Sequence, residues 1–222
     1  MTEEKNSIVM DGGKEIKKNA KSYTKEELMP KLLEYFNGDV MASEVWLNKY
    51  CLKNSKGQFF ETSPEDMHKR MAKEFASAEN KYIVDLNVKS KALSAYGQKR
   101  ENLTEDKIFN YFDKFKYIIP QGSVMASLGN PYVFASLSNC IVLPEVYDSY
   151  GGIMYSDQQL VQLMKRRCGV GIDISTLRPT DSSVSNSAGS STGSVSFMER
   201  FSNTTREVAQ SGRRGALMIT IG

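Results

Sequence analysis

Leu137-Ser138-Asn139-Cys140-Ile141-Val142-Leu143 is the stretch on which the fold turns. A short apolar run between polar clusters has the length of a strand rather than of a helix, and a run without polar alternation points to a strand buried in a parallel sheet. A thiol sits inside it, at Cys140, preceded by Ser138 and Asn139. Cys140 has no CxxC partner, which excludes a thioredoxin-type pair and a cysteine metal knuckle.

Outward from this run the texture is α/β. Downstream, Ser156 and Gln159 have capping-box spacing for a helix over 156–167, with Leu160, Val161, Leu163 and Met164 inward and Lys165, Arg166 and Arg167 favouring its C-terminal dipole. Gly169 is the expected helix stop, and residues 170–174 the next strand. The Ser/Gly stretch 182–194 has the composition of a flexible linker. Ser196 and Glu199 then cap a helix with Phe197, Phe201 and Val208 on one face, and residues 217–221 form a further strand. So few parallel strands leave an open hydrophobic edge, the mark of the first part of a larger fold.

Upstream of about residue 116 the periodicity is helical. Thr24 with Glu27 is a capping box ahead of Leu28, Leu32 and Leu33. Val45, Trp46, Tyr50 and Cys51 recur at helical spacing, Pro64 takes a first helical position, and Thr104 caps a segment bearing Ile108, Tyr111, Phe112 and Phe115. Four or five helices are expected, with Trp46 and Cys51 in their core. Residues 1–22, rich in Lys, Glu, Asn and Gly, have the composition of a disordered arm. The expected division is therefore an arm over 1–22, a helical domain over 23–116 and an α/β domain over 117–222.

Composition narrows the function. The 222 residues are 40% hydrophobic, enough for a packed core, and no run reaches the roughly 18 apolar residues that suggest a membrane helix. Three widely spaced cysteines, Cys51, Cys140 and Cys168, fit reduced thiols in a cytoplasmic setting rather than a disulfide framework. With a single histidine, His68, expected on a helix surface, neither a Ser/His/Asp triad nor a histidine metal site can be assembled easily. Basic and acidic residues number 29 and 26, spread along the chain, so no nucleic-acid footprint emerges; the lysines of 14–25 are a solvated tract.

Gly151-Gly152, Gly169-Val170-Gly171 and Gly212-Arg213-Arg214-Gly215 are each weak phosphate cradles alone. Their order is more specific. Pro120-Gln121-Gly122-Ser123-Val124-Met125, Ser138-Asn139-Cys140, Asp148-Ser149, the segment 163–173, Leu177-Arg178-Pro179, Ser191-Thr192-Gly193 and Gln210-Ser211-Gly212-Arg213-Arg214-Gly215-Ala216 follow one another as in the catalytic subunit of ribonucleotide reductase. Gly38 to Ser43, Lys49-Tyr50, residues 64–70 and residues 72–75 resemble that family's helical N-terminal domain. The resemblance runs from about residue 25 to the end and is closest to the adenosylcobalamin-dependent branch, although chains served by a separate metal-containing radical subunit share most of these motifs.

The resemblance implies a helical domain followed by the opening of a ten-stranded α/β barrel. It makes Cys140 one of two cysteines that reduce the ribose 2′ carbon and close to a disulfide in each turnover. Gly122, Ser123, Ser138, Asn139 and Ser175 fall at substrate-contacting positions. Asp148, Arg178, Ser185, Arg213 and Arg214 fall on the site and two loops that read a deoxynucleotide effector, and Ser185 stands where relatives often carry a phosphate-binding arginine. Cys168 departs from an expected glycine and is taken as structural.

The implied partners are a ribonucleotide, di- or triphosphate, deoxynucleotide effectors, a thioredoxin-type reductant, a second copy in a homodimer and the C-terminal remainder of the barrel. The family's radical cysteine, its second reductant cysteine and its phosphate loop are expected beyond residue 222, and the room before Thr24 is too short for an ATP-binding activity domain. This chain alone is expected to be inactive and to bind neither cobalamin nor metal. A non-catalytic deoxynucleotide-binding or dimerisation module, or an inert truncation product, are the alternatives.

Overall fold

The computed structural model describes residues 9–11, 14–16, 21–54, 56–89, 94–210 and 213–222. The chain forms two compact units, Met1–Phe134 and Ala135–Gly222. Segment 117–134, expected to open the α/β domain, thus goes with the helices. Most of the arm expected over 1–22 lies outside the described residues; β1 (Val9–Asp11) and β2 (Lys14–Ile16) pair antiparallel within it.

The first unit is built on helices α1 (Lys25–Tyr35), α2 (Val40–Lys49), α3 (Pro64–Lys89), α4 (Ala95–Lys99), α5 (Glu105–Phe112) and α6 (Gly122–Ser127). The caps are those legible in the sequence. Thr24 Oγ1 accepts from the Glu27 amide at 3.3 Å while Glu27 accepts from the Thr24 amide at 2.8 Å, and Thr104 accepts from the Lys107 amide. Each such cap contributes about 1 kcal/mol. Leu28, Leu32, Trp46, Leu47, Met71 and Phe112 form the core, each fully buried side chain contributing about 1.5–3 kcal/mol. Cys51 lies at its margin, its thiol pushed up to about 12 chiefly by burial and then by the Glu61 charge, so it is an inert buried group as expected.

His68 does not lie on the surface. It is wholly buried, its ring 4.7 Å from that of Phe115 and 6.2 Å from that of Phe112, and neither ring nitrogen has a hydrogen-bond partner. Its position on α3, one residue from Met67 and three from Met71, places it on the face that α5 covers, and a charged-residue-rich neighbourhood in sequence conceals that face. Burial lowers its pKa to about 4, against a partial opposing pull from Asp113 and Glu65.

The second unit is a three-stranded parallel sheet in the order β3 (Cys140–Val142), β4 (Gly169–Asp173), β7 (Leu217–Thr220), with α7 (Tyr150–Met164) and α8 (Ser194–Glu207). A hairpin of β5 (Ala209–Gln210) and β6 (Arg213–Arg214) precedes β7. The core gathers on one face of the sheet: Leu143, Val170 and Ile172 meet Ile153, Leu160 and Phe201 of the helices. A helical domain followed by a partial parallel sheet with its helices is the architecture expected from the sequence.

Several boundaries differ from expectation, each for a physical reason. Only residues 140–142 of the 137–143 run are in strand, and Leu137 and Val142 are exposed. β3 is an edge strand, and the helices cover one face alone. Helix α7 starts at Tyr150, not at residue 156, because Ser149 is the cap, its Oγ accepting from the Gly152 amide at 3.1 Å, and Ser156 is buried mid-helix. Glycine is required in that first turn, since a Cβ on Gly152 would stand 2.4 Å from the Tyr147 carbonyl oxygen. The chain leaves α7 through Arg167, at φ 73°, and Gly169 is already in strand. Helix α8 opens at Ser194 behind Gly193 rather than on a Ser196 cap.

Candidate functional site

Three of the five residues expected to read an effector line one cleft. Asp148, Arg178 and Ser185 share an open depression of about 210 Å³ with Ser149, Tyr150 and Phe197 among others. Asp148 ends the loop after β3, just before the cap of α7, and Arg178 follows β4. Their strands are neighbours in the sheet, so the two side chains meet: Arg178 Nε donates to Asp148 Oδ2 at 2.7 Å. Both remain about a third exposed, so the pair contributes little to stability and keeps hydrogen-bonding capacity for a ligand. Tyr150 and Phe197 meet edge to face with centroids 6.2 Å apart, giving the cleft an apolar wall. The sequence concealed that wall, because Phe197 reads as an ordinary core residue of α8 and Tyr150 falls before the expected helix start.

The loop between Arg178 and Gly193 is not the flexible linker its composition suggests. The Asp181 amide donates to the Ser191 carbonyl at 3.0 Å, the Ser191 amide to the Ser182 carbonyl at 2.9 Å, and the Val184 amide to the Gly189 carbonyl at 3.1 Å. Arg178 Nη1 reaches the Ser183 carbonyl at 3.2 Å, tying the loop to the cleft floor. Gly193 closes it at φ 82°, with room for no Cβ: the nearest atom, Thr180 Oγ1, would be 2.2 Å away. Short side chains here serve internal hydrogen bonding, which a composition count scores as disorder.

The residues expected to touch substrate divide. Gly122 and Ser123 open α6 in the first unit, with Ser123 buried. Ser138, Asn139 and Cys140 enter β3 in the second. Cys140 is exposed, and its strand neighbour is Gly169. By the strand alternation Cys140 shares with exposed Val142 the sheet face that the helices leave open, and exposed Met218, paired with Gly171, is on that face too. Cys51 and Cys168 are buried, so Cys140 is the thiol open to a reaction partner. Ser175 lies beyond the far end of β4. The strand alone, from the partner of Cys140 to Asp173, is about 13 Å long at about 3.3 Å per residue, and Ser175 is two residues further on. There Ser175 Oγ and its amide both donate to Asp173 Oδ1, which holds the Asp173 carboxyl below its usual range, and the Ser175 hydroxyl accepts from the Gly222 amide at 2.8 Å.

Arg213 and Arg214 form β6, paired with Gln210 and Ala209. The hairpin tip at 211–212 and the two arginine side chains lie outside the described residues, so the expected effector role of this loop has a backbone frame only. Among the described residues no group of three or more His, Cys, Asp or Glu side chains could hold a metal ion. His68, the single histidine, is enclosed by aromatic rings, so its ring nitrogens are not open to a metal ion.

Comparison with known proteins agrees with this division. Residues 36–132 match the all-alpha domain of ribonucleotide reductase and residues 138–222 match its barrel domain. With both domains present in this order, the chain belongs to the ribonucleotide reductase large-subunit family. It is 34% identical over 116 residues to a vitamin B12-dependent ribonucleoside-diphosphate reductase of Thermoplasma acidophilum, covering 49% of this chain and 15% of that protein. It is 26% identical over 150 residues to ribonucleoside-diphosphate reductase large chain 2 of Saccharomyces cerevisiae, covering 63% and 17%, and 28% identical over 130 residues to the large subunit of Trypanosoma brucei brucei, covering 58% and 15%. The matches thus take in about a sixth of the length of these relatives.

Proposed function

We propose that this chain supplies the helical domain and the opening of the catalytic barrel to an enzyme that reduces ribonucleotides to deoxyribonucleotides. The observation that carries the proposal is the cleft joining Asp148, Arg178 and Ser185, three residues that the family resemblance implies as effector contacts. The cleft suits a nucleoside: the Asp148 carboxylate accepts from sugar hydroxyls, Arg178 donates to them or to phosphate, and Tyr150 and Phe197 wall the apolar part.

Reduction at the 2′ carbon breaks the C–O bond, releases the hydroxyl as water and takes two electrons from a pair of thiols that becomes a disulfide. Cys140 is one of that pair, exposed on the sheet face that closure of a barrel would enclose. Its partner thiol is neither Cys51 nor Cys168, both buried, and is supplied by the rest of the catalytic polypeptide. A reductase of the thioredoxin type would reopen the disulfide. Adenosylcobalamin would supply the initiating radical in the complete enzyme, a choice supported by the B12-dependent relative from Thermoplasma acidophilum. The complete enzyme would be a cytoplasmic homodimer, as the family resemblance implies.

A second role, as a deoxynucleotide-binding module without chemistry, is favoured by one fact: the cleft is formed entirely within residues 148–197. Titration calorimetry of the purified protein with each deoxynucleoside triphosphate tests the shared part. Binding that falls about tenfold or more on Asp148→Ala is expected, and unaltered binding by that variant would overturn the assignment of the cleft. Ribonucleotide turnover after addition of the remaining barrel, lost on Cys140→Ser, separates the enzyme from the module.

A further inference from the structure

We infer that Arg70 is a positioning residue for substrate: it fixes segment 122–132 from inside the helical unit, and so sets Gly122 and Ser123 where a ribonucleotide is held. The inference rests on the proposed reduction of ribonucleotides and on the place of Gly122 and Ser123 in it. Its physical basis is the set of partners that one guanidinium collects. Arg70 Nε donates to Glu61 Oε1 at 2.7 Å and Nη2 reaches Glu61 Oε2 at 3.4 Å, while Nη2 also donates to the Met125 carbonyl at 2.9 Å and Nη1 donates to the Leu128 carbonyl. Met125 and Leu128 carry carbonyls that the short helix α6 leaves without an internal partner, and a cation there complements the negative end of the helix.

The counter-charge is anchored in turn. Glu61, with a side chain only 5% exposed, accepts from the Leu52 amide at 2.8 Å through the oxygen that Nη2 approaches. A second tether lies further along the same segment: Tyr132 stacks on Phe60 with centroids 4.8 Å apart, and its amide donates to Asn130 Oδ1 at 2.9 Å. At the other end a Cβ on Gly122 would stand 3.4 Å from the Tyr50 ring, so the segment lies close against α2's C-terminus as well. A helix of six residues has almost no stability of its own. Its conformation therefore depends on what holds it, and Arg70 is a charged group that does so through two of its carbonyls. Lysine cannot replace this function, because a single ammonium has no planar fork to reach a carboxylate and two carbonyls together.

The test has two arms. Hydrogen–deuterium exchange on the purified protein compares wild type with Arg70→Lys, with Glu61→Gln as a second, isosteric variant in case the first does not fold. Faster exchange confined to residues 122–132 is expected in both. In the complete enzyme containing this chain, the same variants should raise KM for the ribonucleotide by about tenfold or more, with a smaller effect on kcat, while effector affinity at the Asp148 cleft stays at the wild-type value. Unchanged exchange at 122–132 would overturn the anchoring itself. Faster exchange with unchanged KM would instead show that Gly122 and Ser123 do not hold substrate, which refutes the inference through the functional proposal on which it rests.

Discussion

Replacing His68 by phenylalanine should make the helical unit resistant to mild acid. In the native state the imidazole is fully buried between Phe112 and Phe115 with both nitrogens unpartnered, and burial takes its pKa from the ordinary 6.5 to about 4. The folded value is the lower one. Above pH 6.5 the ring is neutral in both states and contributes no pH dependence. Between pH 6.5 and about 4 the unfolded chain binds a proton that the folded chain refuses, so stability falls as pH falls, by about 1.4 kcal/mol per unit. The accumulated loss is roughly 3 kcal/mol, a large share of the roughly 5–15 kcal/mol that holds a typical domain together.

The assay is urea unfolding at pH 7.5, 6, 5 and 4, followed by the fluorescence of Trp46, the protein's single tryptophan, which is buried in the same core. Carboxylates titrate in this range as well, so the informative quantity is the stability of His68→Phe minus that of wild type at each pH. That difference should grow in favour of the variant by roughly 3 kcal/mol from pH 7.5 to pH 4. A constant packing offset from the larger ring leaves the slope untouched. A difference independent of pH would refute the reasoning and mean that the buried imidazole is solvated or proton-paired in solution.

Two further outcomes follow from the geometry. A disulfide reagent such as dithiobisnitrobenzoate should label Cys140 promptly in the native protein and reach Cys51 and Cys168 only on unfolding, because Cys140 alone is exposed; native labelling that persists in Cys140→Ser would contradict this. Gly193→Ala should lower stability by about 1–3 kcal/mol and weaken nucleotide binding at the cleft, since the residue sits at φ 82° with Thr180 Oγ1 2.2 Å from the added carbon; an unshifted melting temperature would show that the loop adopts another path.

Local chemistry was legible in the sequence wherever a signal is carried within one turn of chain. The Thr24–Glu27 and Thr104 caps, the proline opening α3, the buried Trp46 and Cys51, the three parallel strands and the α/β texture of the second unit all follow from spacing and residue type. Asp148, Arg178 and Ser185 came instead from the family resemblance, and the fold brings the three into one cleft. Tertiary structure decided what depends on the far side of an element. His68 is buried because α5 and its following turn close over α3, a partner some forty residues away that periodicity within α3 cannot reveal. The 137–143 run is an exposed edge because helices cover only one face of the sheet, and a run of apolar residues reads the same whichever neighbour covers it. The Ser/Gly loop is ordered because its short side chains and amides find partners across the turn, and Arg70 binds α6 across more than fifty residues of chain. Periodicity reports which face of an element is apolar; only packing determines what that face meets.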